Sequence, residues 1–155
     1  MASKHISLKK DVDEFLALKK IALVGVSRKS VKFGNSIFKE LTKRNYTVFP
    51  LNSFLTQYEG VPCYPDLKSL PEKVDGIITV VKPEKTELVI KEAAELGIKK
   101  IWMQQGSQSE RAIELCKENN ISFVANECIL MFIEPVESVH KFHRFILKLF
   151  GKMPK

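Results

Sequence analysis

No apolar run in this 155-residue sequence approaches the roughly 18 residues of a membrane-spanning helix. Residues 1–10 are polar and basic, so a secretory apolar core is missing as well. A cytoplasmic protein is expected. Cysteine is scarce: Cys63, Cys116 and Cys128 are scattered and form no C-x-x-C, which excludes a zinc knuckle or a thioredoxin-like pair and favours reduced thiols. Histidine is limited to His5, His140 and His143. The last two are spaced for one helix face but have no third ligand in view, so no metal site is expected. The formal charge of +7 favours anionic partners, yet the basic residues are spread along the chain and lack interleaved aromatics. That pattern suits a small phosphorylated ligand rather than nucleic acid.

Two phosphate-binding signatures are also absent. Gly25 and Gly34 stand nine residues apart, which breaks the dinucleotide fingerprint, and the loop carries no Gly-Lys-Ser/Thr. What is present is a strand, a glycine-bounded loop and a helix. Ile21 to Val24 read as a strand buried on both faces, and Ile37, Phe38 and Leu41 recur at helical spacing after Asn35. This order offers backbone N–H groups and a positive helix end to a phosphate. Gly25 permits a sharp turn and Gly34 a close approach of ligand to the helix start. Arg28, Lys29 and Lys32 suit a bulky, highly charged phosphate ligand.

The rest of the chain alternates strands and helices. A short helix is expected over residues 11–18. The second helix is expected to be capped by Asn35 or Ser36 and to run to about Arg44, with Asn45 as its stop. Strands are expected at 46–52, 76–81, 100–103 and 121–125, with helices starting near Pro83 and at Ser109. Leu88, Val89, Ala93 and Leu96 form the inward face of the former, and Gly97 ends it. Residues 54–65 read as a surface excursion.

Five strands with intervening helices predict an α/β, Rossmann-like, doubly wound parallel sheet with helices on both faces. Ligands bind such sheets beyond the strand carboxyl ends, here the loops 25–36, 52–54, 81–86, 104–107 and 126–128. At the end of the second strand, where an NAD-binding fold carries an acid about 20 residues after its glycine loop, this chain has Asn52-Ser53. A neutral residue tolerates a phosphorylated ribose. That argues against NAD and leaves NADP or a 3′-phosphorylated adenosine such as that of coenzyme A. Val139, Phe142, Ile146 and Leu149 predict a C-terminal helix over 135–151, whose wide apolar surface docks on the sheet, mediates self-association or lies on a membrane surface.

Five stretches in order carry a resemblance: Val24-Gly25-Val26-Ser27 with Gly34; Phe49-Pro50-Leu51-Asn52; Leu70-Pro71-Glu72-Lys73-Val74-Asp75; Trp102-Met103-Gln104-Gln105-Gly106; and Asn126-Glu127-Cys128. The chain resembles the small stand-alone CoA-binding proteins, whose Rossmann-like domain also opens the succinyl-CoA synthetase alpha subunit and ADP-forming acyl-CoA synthetases. The resemblance implies one CoA-binding domain over 1–155: an N-terminal helix in 1–19, a core over 20–128 and the C-terminal helix. It implies that Gly25, Ser27 and Gly34, with Arg28 and Lys32 nearby, cradle the phosphates of coenzyme A or an acyl-CoA, with Val26, Phe33 and Asn35 also at the cofactor. Asn52 then sits near the adenosine ribose, Val81, Lys82, Pro83 and Thr86 border the adenine, and Gln104, Gln105 and Gly106 line the way out for the pantetheine arm.

Departures occur at Ser53, where many relatives have proline, and at Lys82-Pro83, where some have Phe-Arg. In succinyl-CoA synthetase the phosphohistidine lies outside this domain and an ATP-grasp partner is needed; this chain has room for neither. The expectation is a binding module without a complete catalytic apparatus, with no catalytic residue assigned. Cys128 is a thiol near the ligand, read as a small packing residue before a nucleophile. The alternatives are an NADP-linked oxidoreductase, or an interaction protein with a vestigial site that forms homo-oligomers through the C-terminal helix.

Overall fold

The computed structural model describes residues 7–29 and 33–133. The expected C-terminal helix, its histidines and Lys32 lie outside the described residues. Strands β1 (Lys20–Val24), β2 (Thr47–Leu51), β5 (Gly76–Thr79), β6 (Lys100–Gln104) and β7 (Ser122–Glu127) form one parallel sheet in the order β2-β1-β5-β6-β7. Strands β3 (Gln57–Tyr58) and β4 (Val61–Pro62) form a small antiparallel hairpin within the stretch read as a surface excursion. Its two central residues, Glu59 and Gly60, have φ of 49° and 79°, as a primed hairpin turn requires.

The strands are apolar along their length because both faces are covered. Ile21, Leu23, Ile78, Trp102 and Val124 point to one core, shared with Val12 and Phe15 of α1 (Lys9–Leu16) and with Ile37, Phe38 and Leu41 of α2 (Phe33–Lys43). Ala22, Val24, Ile77, Ile101 and Met103 point to the other. That core is shared with Val89, Ile90 and Ala93 of α3 (Pro83–Glu95) and with Ala112, Leu115 and Cys116 of α4 (Glu110–Glu118). Trp102 is completely buried, packs edge-on against Phe15 and Phe132, and donates its indole N–H to the Glu127 carbonyl at 3.0 Å. The fold is therefore α/β and Rossmann-like, with helices on both faces of a parallel sheet.

Several boundaries differ from the sequence reading for identifiable reasons. The first helix begins at Lys9 and stops at Leu16, its Lys9–Asp13 pair spanning one turn at 2.6 Å. Helix α2 begins at Phe33, so Asn35 lies inside it, where it braces the preceding loop instead of capping. Leu88 is 65% exposed: the buried face of α3 is Thr86, Val89, Ile90 and Ala93, rotated from the expected stripe. Strand β7 continues to Glu127, because Met103 pairs with Ala125 and Gln104 with Glu127, leaving Asn126 (φ 60°) as a bulged residue. The helix stops match their residues: Asn45, Gly97 and Asn120 take φ of 66°, 71° and 53°.

Thr79 and Thr86 are fully buried, and their hydroxyls have no partner among the described residues. An unpaired buried hydroxyl costs about 1–3 kcal/mol. Thr79→Val keeps the shape and removes that cost, so the melting temperature is expected to rise by about 2–4 °C in thermal unfolding. A fall would show that the Thr79 hydroxyl is satisfied in solution.

Candidate functional site

Register puts three strand ends side by side. Val24 is paired with Leu51 of β2 and with Thr79 of β5. The chain leaves β1 at Gly25 between the ends of its two neighbours. From there α2 connects β1 to β2 on one side, while α3 follows β5 and leads to β6 on the other. This is the point where strand order reverses, and the crevice above it is where open α/β sheets bind ligands.

Gly25 has φ +130°, and a Cβ on it would fall 2.5 Å from the Val80 carbonyl oxygen. Gly34 lines the crevice and is also packed tightly within the protein. A Cβ there would fall 2.3 Å from the Gly25 carbonyl oxygen, so the glycine lets the first turn of α2 sit directly on the turn after β1. The loop between them is held by Asn35, which is 7% exposed. Its Oδ1 accepts from Ser27 N at 2.9 Å, and its Nδ2 donates to the carbonyls of Ser27 and Lys29, both at 2.9 Å. Asn52 fastens the neighbouring loop: Nδ2 donates to Val26 O at 2.7 Å and Oδ1 accepts from Phe54 N at 2.7 Å. Arg28 donates to the Phe54 carbonyl at 3.2 Å. The amides of Asn35 and Asn52 are thus engaged in shaping the loops.

The crevice has a volume of about 400 Å³ and brings together Gly25, Val26, Ser27, Phe33, Gly34, Asn52 and Val81 from the candidate set. It also brings in Ser53, Phe54, Val80 and Lys85, which the sequence reading did not assign. Phe54 is 80% exposed and Phe33 43%, so two aromatic rings stand at its edge. The N-terminal ends of α2 and α3, both partially positive, flank it. An exposed aromatic after β2 and a lysine in the first turn of α3 were the available signals for Phe54 and Lys85.

The remaining candidates lie outside the crevice lining. Arg28 and Asn35 line a second groove of about 940 Å³ between α2 and the β3–β4 hairpin. Lys82 is exposed and Pro83 half-buried at the start of α3, whereas Thr86 points into the core. Gln105 and Gly106 are exposed, but Gln104 is buried with its Oε1 accepting from Ile129 N at 3.1 Å. Ser107, unassigned from sequence, is buried and accepts from Val81 N at 3.0 Å, tying the β6 loop to the end of β5.

All three cysteines are free and buried. Burial pushes the Cys116 thiol up to about 12 from its ordinary 9.0. Burial also raises Cys128, against a smaller opposing contribution from its hydrogen bond with Gln104, and it raises Cys63. A raised thiol pKa leaves little thiolate at neutral pH, which argues against Cys128 as a nucleophile. The native protein is expected to give almost no reaction with an aromatic disulfide reagent at pH 8, and three equivalents after unfolding. One fast equivalent in the native state would identify an accessible thiolate. Because unfolded Cys116 ionises near its ordinary 9.0 and the folded thiol does not, its contribution to stability is complete below that pH and is lost as the pH rises toward 12.

Residues 19–134 match a family model described as the CoA binding domain. A solved structure of a conserved hypothetical protein from Pyrococcus furiosus is 39% identical with a TM-score of 0.69, the match covering 72% of this chain and 96% of that one. A hypothetical protein from Pyrococcus horikoshii OT3 is 31% identical with a TM-score of 0.76, covering 83% of this chain and 94% of that one. The ADP-forming acetate–CoA ligase I of Archaeoglobus fulgidus is 26% identical over an alignment of 123 residues, and the match covers 73% of this chain but only 18% of the ligase.

Proposed function

The chain belongs to the CoA binding domain family, and on that premise we propose that it binds coenzyme A or an acyl-CoA at the crevice above β1, β2 and β5. The observation that carries the proposal is the crevice itself: strand ends in register, two helix N-termini and Lys85 around about 400 Å³ of space. The diphosphate sits over the turn formed by Gly25, Val26 and Ser27, where the α2 N-terminus favours negative charge. Asn52 and Ser53 border the ribose, and the missing acid leaves room for its 3′-phosphate. Phe54, Val81, Lys82 and Pro83 border the adenine. On this reading the chain acts as a binding module, and no catalytic role is assigned to any of the described residues. The family ligase's activity belongs to a protein of which this chain matches a small part.

The test is ligand-induced stabilisation. At 100 times its dissociation constant a ligand adds about 2.7 kcal/mol, or roughly 5–11 °C for a chain of this size. CoA and acetyl-CoA are expected to raise the melting temperature, with Lys85→Glu reducing the shift, whereas NAD and NADP leave it unchanged. Stabilisation by NADP alone would favour a dinucleotide-linked oxidoreductase, and silence from all four would leave a fold without its ligand.

A further inference from the structure

The second groove has α2 as one wall and the β3–β4 hairpin as the other, and its apolar lining is Phe38, Leu55 and Tyr58. The rings of Phe38 and Tyr58 meet edge-on with centroids 4.9 Å apart. Arg28, Lys39 and Lys43 bring positive charge to the lining, and Glu59 in the hairpin turn is the one acid among its described residues. Phe38 also belongs to the core in which the described chain ends. Ile129, Leu130, Phe132 and Ile133 are buried there with Ile37, Phe38 and Leu41 of α2, and the turn Ile129–Met131 packs against α2. Residues 134–155 therefore follow on beside the helix that forms one wall of the groove.

We propose that the segment 139–150 of this same chain docks in the groove as a helix. The lengths allow it. Pro135 favours an extended Glu134, and the five residues 134–138 reach about 17 Å when extended, enough to cross a helix roughly 10–12 Å in diameter. As a helix the segment is about 18 Å long, close to the length of α2, which has 11 residues. The sequence pattern suits the shape of the groove. At about 100° per residue, Val139, Phe142, Phe145, Ile146, Leu149 and Phe150 share one broad face, and Lys141, Arg144 and Lys148 gather on the other. An apolar face wider than one stripe needs cover from two sides, which a groove between a helix and a hairpin supplies. The cations of the segment then turn away from Arg28, Lys39 and Lys43. The docking stands independently of what the crevice binds.

The experiment uses the full chain. A nitroxide is attached through Arg144→Cys, on the polar face of the segment. The three native cysteines are free but buried, so wild type exposed to the same reagent is the blank. In the amide spectrum of ¹⁵N-labelled protein, Thr42, Lys43, Tyr58 and Glu59 are expected to broaden most. A mixture of nitroxide-bearing chain at natural isotope abundance with ¹⁵N-labelled chain lacking the nitroxide is expected to show no broadening. Ile146→Glu removes the broadening and lowers the melting temperature by roughly 4–10 °C, whereas Lys148→Glu leaves both unchanged. Broadening centred on α3 or α4, or at none of the described amides, overturns the inference, as does an Ile146→Glu protein of wild-type stability. Broadening in the mixed sample overturns it as well, and gives the groove to a second copy of the chain.

Discussion

Replacing Gly34 by alanine is expected to lower the melting temperature by roughly 6–12 °C, the equivalent of about 3 kcal/mol. Two effects compete. Alanine is the better helix former by about 1 kcal/mol, and Gly34 lies in the first turn of α2. Against that, its Cβ would stand 2.3 Å from the Gly25 carbonyl oxygen and 2.8 Å from the carbonyl carbon. Those atoms are backbone, and Gly25 is itself lodged against Val80, so the contact is relieved only by lifting α2 off β1. Overpacking wins. The start of α2 also moves, so CoA stabilisation is expected to fall with the melting temperature. A Gly34→Ala protein of wild-type stability would mean that α2 sits further from the turn than described.

Asn35→Asp is expected to weaken CoA binding by about 100-fold, in line with loss of one charge-directed site of about 3 kcal/mol. The acceptor to Ser27 N survives. The two Nδ2 donations become a carboxylate oxygen facing the carbonyls of Ser27 and Lys29, and a negative charge is placed beneath the phosphate loop. Asn35→Ala separates the two contributions: it removes the bonds without adding charge, so its loss of affinity is expected to be smaller while its loss of stability is comparable. Titration and thermal unfolding of both variants check this. Equal affinities for wild type and Asn35→Asp would place the phosphates elsewhere.

The sheet was legible because a parallel strand covered on both faces must be apolar along its length, and Ile21 to Val24 or Gly76 to Thr79 have few other ways to be buried. The helix stops at Asn45 and Gly97 were legible because both occupy a backbone region few residues tolerate. The site was legible only as far as its loops. An asparagine ahead of a helix reads as a cap, and a cap and a loop brace use the same side-chain atoms; only the positions of Ser27 and Lys29 separate them. Gly34 reads as room for a ligand, and what no spacing reveals is that a Cβ there would also meet the Gly25 carbonyl, nine residues earlier in the chain. The β3–β4 hairpin has two residues per strand and a Glu-Gly turn, too little pattern to signal itself, and with it the second groove went unread. Leu88 illustrates the opposite error: an apolar residue one step from the buried stripe was assigned to it.

The most direct measurement is the amide nuclear magnetic resonance spectrum of ¹⁵N-labelled protein titrated with CoA. The largest shifts are expected at Gly25 to Ser27, Gly34, Asn35, Asn52 to Phe54 and Val80 to Val81, the backbone around the crevice. A spectrum unmoved by CoA, or one whose shifts gather on the α3–α4 side of the sheet, would contradict the assignment of this crevice as the CoA site.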